Sequence, residues 1–156
     1  MSRLSNKYIG FKMIQAERAT RMNLSKTVYP HSRPMPDMVK NNSEEGYQVT
    51  YPDGYISFSP KDVFEKAYMQ VGDNNTITQE LVDNFIKDYD VFTKQGKITV
   101  VIATLKNGFT IVESSACVDP KNYNEEMGSG ICKARINNQV WNHLGFLLQT
   151  AKDGII

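Results

Sequence analysis

Between Ser114 and Gly128 the chain reads SSACVDPKNYNEEMG, and Ser114, Ser115, Cys117 and Asp119 fall within its opening residues. Hydroxyl, thiol and carboxylate groups at this spacing have three uses: nucleophilic catalysis, ligand binding, or closing a strand and opening a helix. Catalysis requires Cys117 or a serine beside a base that a third group orients. The chain offers His31 and His143. His143 falls about 20 residues, or ~30 Å of helix, beyond the first turn. His31 belongs to a proline-broken segment and reaches the thiol only if that segment closes as a lid. No Gly-rich phosphate loop, paired-carboxylate signature or zinc spacing is present. Cys117 and Cys132 with two histidines do not compose a four-ligand metal site. The expectation is a chain without catalytic residues, metal or cofactor, and therefore not an enzyme.

Binding and structural closure compete as readings of the same residues. Asp119 before Pro120 has the pattern of a helix cap and would spend its carboxylate on the first-turn amides. Those amides are the donors an anion would otherwise use. Ser114 and Ser115 differ, because alternation along a strand turns one of them away from the core, where its hydroxyl can meet a ligand. Lys26, Arg33, Lys121 and Arg135 are the candidates to meet phosphate. Tyr29, Tyr123 or Trp141 are the candidates to stack on a base, with core packing the competing role for Trp141.

These residues need elements to position them. Residues 7–20, KYIGFKMIQAERAT, read as an opening strand. Residues 23–46 contain Pro30, Pro34 and Pro36 and carry no amphipathic period, which predicts a long irregular loop, either a lid or disordered. GYQVTYPDGYISFS reads as a hairpin around Pro52-Asp53-Gly54, with Gly54 at positive φ. A helix with Ser59 as cap and Pro60 as first residue follows, with Val63, Phe64, Ala67 and Tyr68 as its apolar stripe. GDNN at 72–75 is the break between two halves. A second helix is expected over 76–92, with Thr76 and Gln79 as a capping box and Leu81, Val82, Phe85, Ile86 and Tyr89 at helical spacing. KITVVIATLKNGFTIVESSACV predicts two strands joined by a type I′ turn at Asn107-Gly108. Its first strand is apolar on both faces and must be covered or extended, by the N-terminal hairpin or by another subunit, which predicts homo-oligomerisation. A long helix from Asp119-Pro120 follows, with Tyr123, Met127, Ile131, Ala134, Val140, Trp141, Leu144 and Leu148 on its buried face. Gly128 and Gly130 within it mark close approach of another backbone.

The fold class read from this order is α+β: a small N-terminal β-hairpin/helix module over 1–72, then an αββα unit over 76–150 with a long C-terminal helix. Bulk composition narrows function further. A hydrophobic fraction of 40% is enough to build a core, and a net charge of +1 argues against duplex-DNA binding. The charge is unevenly placed: residues 1–40 hold eight Lys/Arg and two acids, and residues 41–90 hold three Lys and ten acids. That arrangement offers a basic surface for an anion, or a basic head solvated beside an acidic middle. The N-terminus lacks the apolar run of a signal peptide and no segment approaches a membrane span, so a cytoplasmic protein without membrane contact is expected. Two thiols without a pairing pattern suit a reducing compartment.

Two resemblances add to this reading. SSACVDPKNYNEEMGSGICKARINNQVWNHLGFLL, within residues 76–149, resembles the small tailed-phage family named after gene products 49 and 66. It departs from the family at Ser129-Gly130 and Cys132-Lys133, where the family helix is more regular. EGYQVTYPDGYISFSPKDVFEKAY resembles an N-terminal module of phage proteins, some of which carry behind it a domain similar to the Thoeris anti-defence sponges. The resemblances imply a phage accessory protein in the host cytoplasm. Its expected role is counter-defence, sequestering a small anionic, nucleotide-like immune signal. An interaction module that inhibits a host defence protein is the alternative, and single-stranded nucleic-acid binding a third reading.

Overall fold

The computed structural model describes residues 6–21 and 43–156. They form an α+β architecture with two three-stranded antiparallel sheets and a long C-terminal helix. The chain divides into two compact units: one extends to Gln70 and includes Ala151–Ile156, and the other spans Val71–Thr150.

The first unit contains β1 (Gln15–Thr20), β2 (Glu45–Thr50), β3 (Ile56–Pro60) and helix α1 (Lys61–Ala67), with strand order β1-β2-β3. The opening strand is shorter than its sequence suggests. Gln15 already pairs with Thr50, the last residue of β2, so residues before Gln15 have no ladder to join. Tyr8 and Ile9 are accordingly exposed. At its other end β2 begins at Glu45, inside the segment expected to be irregular. In the β2–β3 turn the Gly54 N–H donates to the Tyr51 carbonyl (2.9 Å) and the Tyr51 N–H to the Tyr55 carbonyl (2.8 Å). Gly54 sits at φ 88°, which gives a three-residue loop with the glycine in the left-handed region. Ser59 is not a cap. It is still in β3, paired with Tyr47, and Pro60 takes the cap position with no side-chain hydrogen bond. Of the expected stripe on α1, Val63 faces solvent while Phe64 stacks on Tyr47 at a centroid distance of 4.0 Å and on Tyr68 at 4.8 Å.

The second unit opens with a tight turn in which Asn74 and Asn75 both have positive φ. Thr76 belongs to that turn, its hydroxyl donating to the Asp73 carbonyl (2.8 Å), so it is not the helix cap. Thr78 is: its hydroxyl accepts from the Leu81 N–H (3.2 Å) at the start of α2 (Gln79–Phe85). The helix expected to continue to 92 stops there, and Ile86–Lys94 form β4. Two causes combine. Tyr89, Val91 and Thr93 alternate with Asp88, Asp90 and Phe92, a strand period. A register shift between Ile86 and Asp88 then lets Ile86 and Tyr89, three residues apart, both reach the core and so imitate helical spacing. β4 is also the strand that β5 (Ile98–Leu105) needed. With β6 (Thr110–Ala116) it completes the order β4-β5-β6 from within the chain.

The two turns of this sheet exchange the expected chemistry. Gln95 (φ 52°) and Gly96 (φ 64°), between Lys94 and Lys97, carry the two positive φ values of a primed turn, closed by the Lys97 N–H on the Lys94 carbonyl (3.2 Å). At Asn107-Gly108 only Gly108 has positive φ. The loop repeats the build of Pro52-Asp53-Gly54, and Asn107 Oδ1 accepts from the Phe109 N–H (3.0 Å) as Asp53 Oδ1 does from Tyr55 (3.0 Å).

After β6, Asp119 caps a single 3₁₀ turn, Pro120–Asn122, by accepting from the Lys121 N–H (2.9 Å). The long helix, α3 (Glu125–Asp153), starts later than expected, with Asn124 Oδ1 accepting from the Met127 N–H (3.0 Å), and runs unbroken through Gly128 and Gly130. Its buried face is Gly128, Cys132, Ile136, Val140 and Leu144. Met127, Ile131 and Ala134, expected inside, are exposed. The sheet selects the face: a Cβ on Gly128 would lie 2.2 Å from Thr99 Oγ1, so the helix comes closest to Thr99 of β5 at a residue with no side chain. Val82, Val101, Ala103, Leu105 and Ile111 complete this core, with Trp141 and Leu147 packed at its margin.

Candidate functional site

Cross-strand register in the first sheet brings Arg18 opposite Tyr47 and Thr20 opposite Glu45, so these four side chains share one face. Gly46 pairs with Pro60, which places Lys61, the first residue of α1, at the same corner. The result is a cleft of about 260 Å³ lined by Arg18, Ala19, Thr20, Glu45, Gly46, Tyr47 and Lys61. Neither Arg18 nor Lys61 has an ion-pair partner among the described residues, whereas nearby Arg21 is held by Glu44 at 2.8 Å. Tyr47 forms a wall whose orientation is fixed twice, by the Phe64 stack and by its hydroxyl donating to Glu65 Oε1 (2.9 Å). Two cations, one carboxylate acceptor and an immobilised ring can bind an anion that also carries hydroxyl donors.

The residues singled out from the sequence are dispersed. Lys26, Tyr29 and Arg33, with His31, lie outside the described residues. Ser114 and Ser115 sit on opposite faces of β6, Ser114 exposed and Ser115 half-buried opposite the core residue Thr99. Arg135 does meet Ser114, but through the backbone: its Nη1 donates to the Ser114 carbonyl (2.9 Å) and lies 3.9 Å from Glu113 Oε2. Lys121 is exposed on the 3₁₀ turn. The Tyr123 hydroxyl is shared between Thr93 Oγ1 (2.7 Å) and Thr99 Oγ1 (2.9 Å), and Thr93 also donates to Glu125. This network fastens the start of α3 to β4 and β5. Trp141 donates to Gln79 Oε1 (3.3 Å), which itself bridges to Asp83 and Asn137.

Cys117 and the histidine are separated by the sheet. Cys117 Sγ donates to the Asp119 carbonyl (3.2 Å) beyond the end of β6. The His143 ring lies against Phe109, just before its start, with a centroid distance of 5.6 Å. Seven residues of strand, about 23 Å, lie between those ends. Burial pushes the Cys132 thiol above its ordinary range, with Arg135 opposing and Glu113 adding to the shift. No group of three metal-ligating side chains occurs among the described residues, and no described helix is long and apolar enough to cross a membrane.

Sequence reasoning missed Arg18, Tyr47, Glu45 and Lys61. Each is unremarkable alone, and only the antiparallel pairing of strands 25 or more residues apart assembles them. The available signal was the alternation of Glu45, Tyr47 and Val49 along β2.

Comparison with known proteins places the second half. Residues 77–152 match the model of the Phage protein (N4 Gp49/phage Sf6 gene 66) family. No curated protein matches the chain, and no solved structure does. The matched span runs from just before α2 through almost all of α3 and so coincides with the αβββα unit, and the cleft lies in the part that precedes it.

Proposed function

We propose that this chain, residues 77–152 of which match the model of a phage protein family, is a non-enzymatic phage accessory protein that acts in the host cytoplasm by holding a small anionic, nucleotide-like ligand. Sequestration of that ligand from host defence is the role that follows. The observation that carries the reading is the corner between β1, β2 and α1, where Arg18 and Lys61 line one cleft and neither has an ion-pair partner among the described residues. A phosphate would meet both cations, Arg18 offering the planar fork suited to phosphate oxygens. Glu45 would accept from ribose-type hydroxyls, and Tyr47 would supply an ordered apolar wall. A cleft of about 260 Å³ accommodates part of a mononucleotide, with the remainder in solvent.

The test is to purify the chain from host cells, denature it, and analyse the released small molecules by mass spectrometry. A stoichiometric phosphorylated compound, absent from the Arg18→Glu/Lys61→Glu double variant, supports the reading. A chain that is empty, or equally loaded in wild type and variant, overturns it. An empty chain that retains one host polypeptide supports the interaction-module alternative instead.

A further inference from the structure

The second sheet has two faces, and α3 packs on one of them. Thr99, Val101, Ala103 and Leu105 of β5 point to that side and are buried. Register defines the other side as four rows across β4, β5 and β6: Lys94–Ile98–Ala116, Phe92–Val100–Ser114, Asp90–Ile102–Val112 and Asp88–Thr104–Thr110. Phe92, Ile98, Val100, Ile102 and Val112 make its centre apolar, yet none belongs to the buried core of the unit, and Val112 is 60% exposed. Phe92, Ile98, Val100 and Ile102 are half-buried, and an apolar sheet face that no second layer of this unit's described residues packs against marks an interaction surface.

The charges at its margin indicate the occupant. On this face β4 carries Lys94 at one end and Asp88 and Asp90 at the other. A two-fold axis lying in the interface, perpendicular to the strands and midway between the second and third rows, superposes the first row on the fourth. Lys94 of each copy then faces Asp88 of the other, while Val100 faces Ile102. At the charged ends and along β5 the surface is complementary to itself, as an isologous contact requires, while at the rim Asp90 of each copy lies beside Phe92 of the other. Its strands, eight residues long and three abreast, cover about 26 Å by 14 Å, near 370 Å² for each copy. At about 740 Å² for the pair, that area lies below the range of stable specific interfaces and fits a weak, reversible association.

We infer that the open face of the β4-β5-β6 sheet is a self-association surface that pairs two copies of this chain face to face, with Lys94 of each against Asp88 of the other. The inference does not rest on the ligand reading, since none of these residues lines the cleft. Sedimentation velocity of the full chain across about 1–300 μM should show a monomer–dimer equilibrium with a dissociation constant on the order of 10 μM. Val112→Asp, which would bury a carboxylate without a partner, should raise that constant at least about tenfold. Thermal midpoints measured at concentrations well below that constant should stay unchanged. Lys94→Asp should weaken pairing by opposing like charges, and Lys94→Asp with Asp88→Lys should restore it. A chain that stays monomeric throughout the range overturns the proposal. So does a dimer indifferent to Val112→Asp, or a double variant no better than Lys94→Asp.

Discussion

Gly128 and Gly130 lie two residues apart in α3, and alanine at the two positions should act in opposite directions. At Gly130 no atom stands within 4 Å of the added Cβ. The substitution there only improves helix propensity and should stabilise by about 0.5–1 kcal/mol. At Gly128 the new carbon would lie 2.2 Å from Thr99 Oγ1 and 2.9 Å from Thr99 Cβ, a clash with a buried strand residue rather than a flexible tip. Overpacking of this kind costs about 1–3 kcal/mol. Turning Thr99 aside also surrenders its hydrogen bond to Tyr123, about 1 kcal/mol more. The propensity gain offsets only part of this, leaving Gly128→Ala destabilised by about 1–3 kcal/mol. Urea denaturation of the full chain, followed by circular dichroism, should therefore separate the two variants by about 2–4 kcal/mol. Combining Gly128→Ala with Thr99→Ala should cost less than the sum of the two, because the first clash partner has gone. Equal stability of Gly128→Ala and Gly130→Ala would refute the close seating of α3 on β5.

Two further outcomes follow from buried groups. Burial, with a contribution from the nearby Asp83 charge, raises the Tyr89 pKa above its ordinary 10.0. A raised folded pKa means that the folded chain holds this proton more tightly than the unfolded one. The associated stability is complete below pH 10 and is lost as pH rises through the folded value. Tyr89→Phe should flatten the alkaline decline of the thermal midpoint while changing it little at pH 7, and an unchanged alkaline limb would count against it. The thiols should also separate. Cys132 is fully buried with a raised pKa and Cys117 is half-buried, so a neutral-pH alkylating reagent should modify Cys117 in the native chain and both after denaturation. Native modification of Cys132 at a comparable rate would show that α3 opens readily.

Elements whose signals are local were legible in the sequence. Pro52-Asp53-Gly54 announced its hairpin, and the run of β5, apolar on both faces, announced a strand that had to be covered or extended. The length and class of α3 were legible, but its buried face was not. Ile131 and Met127 are more hydrophobic than Gly128, and only the contact with Thr99 reveals that the helix turns its glycine inward. β4 was hidden for a related reason: the register shift at Lys87 put Ile86 and Tyr89 on the same side, a spacing that a helix produces more simply. The cleft was invisible because its parts come from strands far apart in the chain, and charge counting detects a basic segment without saying which of its cations escape pairing. Arg135 shows the converse. It is conspicuous in the sequence as a phosphate ligand, and in the fold its guanidinium holds the outer edge of β6.

The buried line on α3 advances four residues at a time, from Gly128 to Cys132, Ile136, Val140 and Leu144. Four residues turn a helix by about 400°, so the line creeps roughly 40° around the axis at each step. Over its length the buried line has moved by nearly half a revolution. Such a contact has no slack along the chain. Insertion or deletion of one residue between Gly128 and Leu144 would swing everything beyond it by about 100° and present asparagine or glutamine to the core. This helix can therefore accept changes of composition but not of length across that span, and insertions should be tolerated best in the turns between strands.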